Sequence, residues 1–307
     1  MTSTPKNVQE VLSNIQSVSN SFALQRAERQ TRRALDKSDF DSLGAAGYTL
    51  MAVPVTHGGL YIDSRRSTRY ICEMLRAIAA ADSSVALVSS MHPGVIGNWL
   101  EIETAPTPFT KAWEKQRAWI FDTAKNGHWW GTINSEPGSG GDLLKSQSTA
   151  VKDQYDQGYY ITGNKHFGSG SGITSFMITR AMPEGETEPD LFFIDMRNVP
   201  WDGTEGVKLI APWNGHGMTA TQSHSMRFEN MPATRAAFHG DALRNRMRNT
   251  NGRAVGLTFT AVILGIVETA IKTARIQLEP KKDSMRAYER TEWAKVETEG
   301  WLIAKAY

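Results

Sequence analysis

A glycine-rich segment from Thr132 to Asp142 carries the residue types best suited to hold a ligand. It reads Thr-Ile-Asn-Ser-Glu-Pro-Gly-Ser-Gly-Gly-Asp, which places a Glu-Pro turn and three glycines after the end of a predicted strand. Glycine backbone can point successive N–H groups at an anion or at a flat ring that bears carbonyl groups. A tight glycine turn between two strands is the alternative. A Rossmann site is excluded, because the third glycine of that fingerprint is missing and no helical run follows.

A second segment, from Gly163 to Gly172, reads Gly-Asn-Lys-His-Phe-Gly-Ser-Gly-Ser-Gly. Its small residues would allow a planar ligand to approach closely, and the ring of Phe167 could form a stacking wall. The alternative is a β-turn with Phe167 in the core.

Metal and disulfide chemistry are not indicated by the sequence. The seven histidines show no metal-like spacing with a nearby carboxylate. Cys72 is the only cysteine, so an intrachain disulfide is impossible, which fits a reducing cytoplasm.

Three zones of different character must position these segments, and the first is helical. In residues 1–128, apolar residues recur at three- and four-residue steps from Val8 to Phe22 and again from Ile71 to Ile78. Asp82 is a predicted N-cap of the next helix. We expect that helix to bend or end near His92-Pro93-Gly94, because proline breaks the hydrogen-bond ladder.

The second zone, residues 129–238, consists of short β-like runs between glycine-rich turns, with no helical pattern between them. This pattern predicts an antiparallel barrel or sandwich. The predicted strands are Trp129–Asn134, Tyr159–Thr162, Phe176–Thr179, Leu191–Asp195 and Ser225–Phe228.

The third zone, residues 239–307, returns to helix. Apolar residues keep a helical period from Leu257 to Leu278, and the helix is predicted to stop at Glu279-Pro280. Ser284 is a candidate cap for a final helix that reaches Tyr307. The predicted fold class is therefore α+β multidomain: an N-terminal α-helical bundle, a middle antiparallel β-barrel and a truncated C-terminal α-helical bundle.

The composition is that of an ordinary soluble protein, with 40% hydrophobic and 21% charged residues. Lys and Arg total 34 against 32 for Asp and Glu, which gives no electrostatic case for a nucleic acid or a membrane surface as partner. No signal peptide is visible, and the most hydrophobic stretch, Val255–Val267, is too short to span a bilayer. We expect a cytoplasmic protein.

The two glycine-rich segments resemble signatures of the acyl-CoA dehydrogenase superfamily. Ser135–Asp142 stands where that family has Thr/Ser-Glu-Pro-Gly-x-Gly-Ser-Asp, and Ser148-Thr149-Ala150 stands where it has Thr/Ser-x-Ala. Gly163–Gly170 is similar to the family's Gly-x-Lys-x-Trp-Ile-Thr-Asn. Further matches from Leu43-Gly44 to Pro232 extend the resemblance over nearly the whole chain.

The resemblance implies a flavin, FAD or alternatively FMN, bound along the β domain. The residues that it implies as cofactor-binding are Thr132, Asn134, Ser135, Gly140, Gly141, Phe167 and Ser169. In the family's pattern, Ser135 would hydrogen-bond the edge of the flavin ring, and the two glycines would lie near the cofactor chain. Phe167 would form the aromatic wall, and Ser169 would replace the threonine that donates to the N5 side of the ring.

The family's catalytic base has no match in this sequence. In these dehydrogenases a carboxylate removes the α-proton of an acyl-CoA thioester while the flavin accepts the β-hydride. Many members carry this Glu in helices beyond the last residue here, and the other known position corresponds to Thr258, which cannot act as a base. Glu268 lies on the same predicted helix, roughly 15 Å further on, and is interpreted as solvated or ion-paired.

Other departures favour a sister branch with the same fold, the two-component monooxygenases that use reduced flavin and oxygen. Gly141 and Phe167 replace the family's Ser and Trp, and Ser169-Gly170 resembles a Ser-Gly pair of that branch. His92 is a candidate for a histidine that faces the flavin, with a helix-end histidine beside Pro93 as the alternative.

Three functional hypotheses follow. The leading one is an acyl-CoA dehydrogenase-like oxidoreductase with an electron-transfer partner. The second is a monooxygenase that takes a small-molecule substrate and works with a flavin reductase, and the third is a truncated, non-catalytic flavin- or partner-binding remnant. A homodimer or homotetramer is expected.

Overall fold

The computed structural model describes residues 5, 7–155, 158–240 and 252–307. Residues 241–251, near the start of the predicted C-terminal zone, lie outside the described residues. Residues 1–4 and 6, in the segment where no signal peptide was expected, also lie outside them. The helices are α1 Val8–Leu24, α2 Arg26–Arg29, α3 Lys37–Ala45, α4 Ser64–Ala81, α5 Ser83–Leu100, α6 Thr110–Lys125, α7 Gly252–Leu278 and α8 Ala287–Ala306. The strands are β1 Trp130–Thr132, β2 Thr149–Lys152, β3 Tyr159–Gly168, β4 Phe176–Pro183, β5 Asp190–Asp195, β6 Val207–Ala211 and β7 His224–Arg235.

The N-terminal helices pack through the apolar stripes that the sequence predicted. Ile15 of α1, Leu75 of α4 and Val88 of α5 are fully buried in one cluster. Asp82 caps α5 as predicted, because its Oδ1 accepts the backbone N–H groups of Ser84 and Val85 at 2.9 and 3.0 Å.

The helix does not end at Pro93, one of the two outcomes expected there, since α5 runs through this residue to Leu100. A proline at this position deprives the carbonyl four residues earlier, that of Ser89, of its helical partner. The Tyr48 hydroxyl donates to the Ser89 carbonyl at 3.1 Å, and both residues are buried. The helix therefore tolerates the proline because a neighbouring side chain replaces the lost hydrogen bond.

The middle zone is a closed β-barrel. Hydrogen-bonded neighbours follow the order β4-β2-β3-β7-β5, the pairing of β5 with β4 closes the ring, and β6 pairs with β7. The predicted strands are present, but β2 and β6 were missed, and β3, β4 and β7 are longer than predicted. The barrel is also not purely antiparallel, since β1 and β2 both pair with β4 in parallel.

The C-terminal helices pack back on the N-terminal bundle. Ala261, Val262 and Leu264 of α7 are buried against it, and Gly265 approaches so closely that an added Cβ would lie 2.5 Å from the Arg76 carbonyl oxygen. α7 ends at Leu278, directly before Pro280 as predicted. Ser284 is not the cap of α8, because it belongs to a separate 3-10 turn.

The cap of α8 is Arg286, whose backbone N–H donates to Glu289 Oε2 at 2.7 Å. This hydrogen bond satisfies a backbone donor at the start of the helix.

Within the described ranges, one helical stretch has the length and composition to cross a membrane. It is Gly256–Ser284, with a mean hydropathy of 1.5, and 28% of that window is buried. This stretch contacts α4 and α5 of the N-terminal bundle.

Candidate functional site

A backbone bridge brings the two glycine-rich segments side by side. Ser135 pairs with His166 in an antiparallel bridge, in which the His166 N–H donates to the Ser135 carbonyl at 2.8 Å. Just before it, Asn134 Nδ2 donates to Thr132 Oγ1 at 2.5 Å. The bridge therefore holds the two motifs side by side, and we call the seven residues implied above as cofactor-binding the bed.

A buried carboxylate fixes the loop of the bed to the barrel. The Glu136 side chain is 3% exposed and its Oε1 lies 2.5 Å from Lys165 Nζ, which is fully buried on β3. Oε1 also accepts from the Ser146 hydroxyl at 2.5 Å, and Oε2 accepts from the Gln147 N–H at 2.5 Å. Burial alone would raise the pKa of Glu136, but the hydrogen bonds from Lys165 and Ser146 outweigh it and hold that pKa below its ordinary value.

The glycines of the loop keep its outer side open. Gly140 and Gly141 have φ values of +61° and +83°, a conformation that L side chains rarely adopt. A Cβ added at either position would meet no atom within 4 Å. Glycine is therefore required here by backbone conformation, and the space beside the loop is free for a ligand.

Phe167 is held outward from the barrel. It sits where β3 departs from regular register, its φ is +56°, and its side chain is 59% exposed. The expectation that an aromatic wall stands here is compatible with this placement, whereas a core position for Phe167 is wrong. Its ring makes an edge contact with Trp213, with centroids 6.3 Å apart.

Ser169 is linked to two hydroxyl groups that the sequence did not single out. Its Oγ lies 2.7 Å from Ser223 Oγ, which in turn lies 2.7 Å from Thr221 Oγ1. Thr221 is fully buried and Ser223 is 7% exposed.

The bed has polar groups that fit a flat ring bearing hydrogen-bonding edges. Asn134 Oδ1 is buried and has no hydrogen-bond partner among the described residues. Buried polar atoms in proteins are nearly always paired, so an unpaired one at a surface of this kind is an acceptor available to a ligand. With the exposed Phe167 ring and the open glycine loop, the residues present fit a bound flavin.

His92 lies in the core. It is fully buried, its Nδ1 accepts the Trp130 N–H at 3.1 Å, and its ring packs 5.2 Å from that of Trp129. Burial lowers the pKa of His92 to about 3, so the imidazole is neutral. His92 therefore connects α5 to β1 inside the core of the protein.

A separate cleft of about 690 Å³ lies between α6 and the barrel, and Trp119, Phe176 and Phe193 line it. None of the bed residues lines this cleft. Among the described residues, no group of His, Cys, Asp and Glu is arranged to hold a metal ion.

Comparison with known proteins agrees with this architecture. Residues 131–231 match the family described as acyl-CoA dehydrogenase, middle domain. The chain has the acyl-CoA dehydrogenase-like fold. An FMN-bound crystal structure of TdsC, a dibenzothiophene monooxygenase from Paenibacillus sp. A11-2, superimposes with a TM-score of 0.68 at 20% identity, covering 85% of this chain and 63% of that one.

Two curated relatives cover most of this chain. A dibenzothiophene monooxygenase from Mycolicibacterium goodii is 29% identical over 246 residues, which are 76% of this chain and 54% of the relative. An acyl-CoA dehydrogenase from Bacillus subtilis (strain 168) is 26% identical over 237 residues, 76% of this chain and 57% of the relative. The chain thus spans little more than half the length of these relatives.

Thr258, which the sequence resemblance aligned with one base position of the acyl-CoA dehydrogenases, lies on α7 and is 5% exposed. Glu268 pairs with Arg76 of α4 at 2.5 Å, which confirms its interpretation as an ion-paired residue.

Sequence reasoning missed four residues that shape the bed: Glu136, Lys165, Thr221 and Ser223. Glu136 and Lys165 lie inside the quoted motifs, but their pairing across 29 positions has no local signature. The two hydroxyl residues lie 52 and 54 positions beyond Ser169, in a loop that sequence patterns leave unassigned.

Proposed function

We propose that this protein works as a monooxygenase that uses reduced flavin and oxygen to oxidise a small apolar molecule. The observation that carries the proposal is the composition of the second motif: Phe167 and Ser169-Gly170 stand where the dehydrogenases have Trp-Ile-Thr-Asn, and this Ser-Gly pair resembles the monooxygenase branch. The base position that the dehydrogenase resemblance assigns to α7 holds Thr258, whose hydroxyl cannot take up the α-proton.

The bed residues would each act on a bound flavin. Asn134 and Ser135 would hydrogen-bond the polar edge of the ring, Phe167 would cover its apolar part, and the open loop at Gly140 would leave room for the chain of the cofactor. When bound, reduced flavin supplies the two electrons with which one atom of O₂ enters the substrate and the other leaves as water. The barrel supplies binding, orientation and exclusion of water.

The similarity to known monooxygenases also supports this proposal. Two of the three proteins compared above are dibenzothiophene monooxygenases, and one of these was crystallised with FMN. We therefore propose FMN rather than FAD as the cofactor. As substrate we propose a planar apolar molecule, such as an aromatic sulfur heterocycle, rather than an acyl-CoA. Electrons would come from a separate flavin reductase, and we keep a cytoplasmic location and a homo-oligomer as expectations.

Binding of FMN is the first test, with Phe167→Ala as the variant. Loss of an aromatic stacking wall costs about 0.5–1.5 kcal/mol, so we expect a 2- to 10-fold rise in the Kd for FMN, measured by fluorescence quenching. Ile210→Ala, which removes a side chain that is 52% exposed on β6, is the matched control and should leave the Kd unchanged. No binding of FMN or FAD to the unaltered protein would overturn the proposal.

The reaction separates the two enzyme hypotheses. Protein with chemically reduced FMN, dibenzothiophene and air should yield a product heavier by one oxygen atom in mass spectrometry. If instead an acyl-CoA bleaches bound flavin under anaerobic conditions and no oxygenated product forms, the protein is a dehydrogenase.

A further inference from the structure

Three hydroxyl groups stand in a row behind the bed. Thr221 Oγ1, Ser223 Oγ and Ser169 Oγ are connected by two contacts of 2.7 Å each, and the row runs from the buried core to the half-buried Ser169. The bed residues account for Ser169 alone. We propose that Thr221 and Ser223 are positioning residues that make Ser169 a dedicated hydrogen-bond donor toward the bound ring, and this inference rests on the proposed function.

The direction of the hydrogen bonds follows from the burial of Thr221. This residue is fully buried, and among the described residues its hydroxyl has Ser223 as its hydrogen-bond partner. A buried O–H that donates to nothing is costly, so Thr221 donates to Ser223. The Ser223 oxygen is then an acceptor on that side, and its own proton goes to Ser169.

The hydroxyl of Ser169 is the outer end of this chain of hydrogen bonds. Its oxygen accepts from Ser223, so its own proton must point elsewhere, and no acceptor for that proton is found among the described residues. Hydrogen bonds in such a chain strengthen one another, because each donation polarises the next hydroxyl. Ser169 therefore presents a polarised O–H to the bed, and it selects a ring edge that carries an acceptor nitrogen or carbonyl oxygen.

The backbone holds the row rigidly. Gln222, between the two inner hydroxyls, has a φ of +48°, and its Oε1 accepts the Leu35 N–H at 3.2 Å. The Gly170 N–H donates to the Thr221 carbonyl at 2.7 Å, which ties the row to the segment that bears Ser169. A Cβ at Gly172 would lie 2.7 Å from the Gln222 side chain, so the packing leaves little freedom.

The test is a double-mutant cycle on FMN affinity. Removing one neutral hydrogen bond weakens binding roughly 2- to 10-fold, so Ser169→Ala and Ser223→Ala should each raise the Kd for FMN within that range. Because Ser223 acts through Ser169, the double variant should bind no more weakly than Ser169→Ala alone. Ser223→Thr keeps the hydroxyl and should restore the Kd, and Thr221→Val, which keeps the shape of the side chain, should raise it.

A spectroscopic readout separates positioning from packing. The visible absorption bands of bound FMN report the hydrogen bonds to the ring, and they should shift in the same direction in Ser169→Ala and Ser223→Ala. Ser225→Ala is the matched control two residues along the chain, because its hydroxyl donates to the Lys165 carbonyl at 3.4 Å and not to the hydroxyl row, and it should change neither the bands nor the Kd. Thermal unfolding confirms that each variant is folded.

The outcomes distinguish this inference from the proposed function. If the unaltered protein binds FMN while Ser223→Ala keeps its Kd and spectrum, the inference is wrong and the proposed function stands. Additive effects of the two serine substitutions would likewise overturn it. If no variant and no unaltered protein binds flavin, the proposed function itself is wrong.

Discussion

At the scale of single residues, the bed depends on an ion pair that the solvent does not reach. Glu136 and Lys165 are 3% and 0% exposed, and the pair holds the glycine loop against β3. Removing one member of a buried pair leaves the other charge unpaired, which costs more than the pair contributes. A substitution of Glu136 or Lys165 should therefore change the conformation of the loop at Gly140 without removing a contact to a ligand.

The first prediction concerns the pH dependence of this pair. Hydrogen bonds hold the pKa of Glu136 below its ordinary value of 4.5, so its stabilisation is present above about pH 4.5 and is lost as the pH falls through the folded-state pKa. Glu136→Gln should lower the free energy of unfolding at pH 7 by about 3–5 kcal/mol. Below pH 4.5 the variant should lose less stability than the unaltered protein, as measured by urea unfolding.

The control is an ion pair on the surface. Glu229 lies 2.8 Å from Arg227, and both side chains are about half exposed. Glu229→Gln should cost less than about 1 kcal/mol. Equal costs for the two Glu substitutions would contradict a special role for Glu136.

At the scale of elements, α5 connects the helical bundle to the barrel, and its start is fixed twice. Asp82 Oδ1 caps the helix, and Asp82 Oδ2 pairs with the buried Arg29 at 3.1 Å. The same helix carries His92, which holds the first strand of the barrel at Trp130.

The second prediction separates the two roles of Asp82. Asp82→Ala loses both and should lower the free energy of unfolding by about 2–4 kcal/mol, since a cap alone contributes about 0.5–2 kcal/mol. Asp82→Asn keeps an oxygen for the cap and should cost less. Asp36→Ala removes the exposed cap of α3 and should cost about 1 kcal/mol. Equal losses for Asn and Ala at position 82 would mean that the ion pair with Arg29 dominates.

At the scale of the whole molecule, α7 and α8 expose a large apolar surface. Trp301, Leu302 and Ile303 of α8 are 59%, 53% and 50% exposed, and Phe259 of α7 is 48% exposed. Exposed apolar side chains of this size favour association.

The third prediction is self-association through this surface. In size-exclusion chromatography with light scattering, we expect a dimer or tetramer whose dissociation constant rises at least about 10-fold in Trp301→Glu. Leu24→Glu changes a residue of α1 that is 90% exposed and should leave the association unchanged. A monomer at every concentration of the unaltered protein would refute the homo-oligomer.

The order of helical bundle, barrel and helices could be predicted from the amino-acid sequence alone, and so could the two glycine-rich segments of the bed. Periodicity, glycine positions and the Asp82 cap are local properties, so they can be read without knowing what the chain packs against. The short strands β2 and β6 were missed, because a four- or five-residue run has too few alternating positions to stand out.

Only the tertiary structure decided the closure of the barrel, its parallel pairings and the contacts that support the bed. The Glu136–Lys165 pair spans 29 positions, and the Ser169–Ser223 contact spans 54. The sequence does not show which distant residue a charged group or a hydroxyl group will contact. Tertiary contact also decided that α5 continues through Pro93, where the Tyr48 hydroxyl donates to the Ser89 carbonyl, and that His92 is buried in the core. Long-range packing thus decides which polar residues are removed from water, and removal from water decides their protonation state and their need for hydrogen-bond partners.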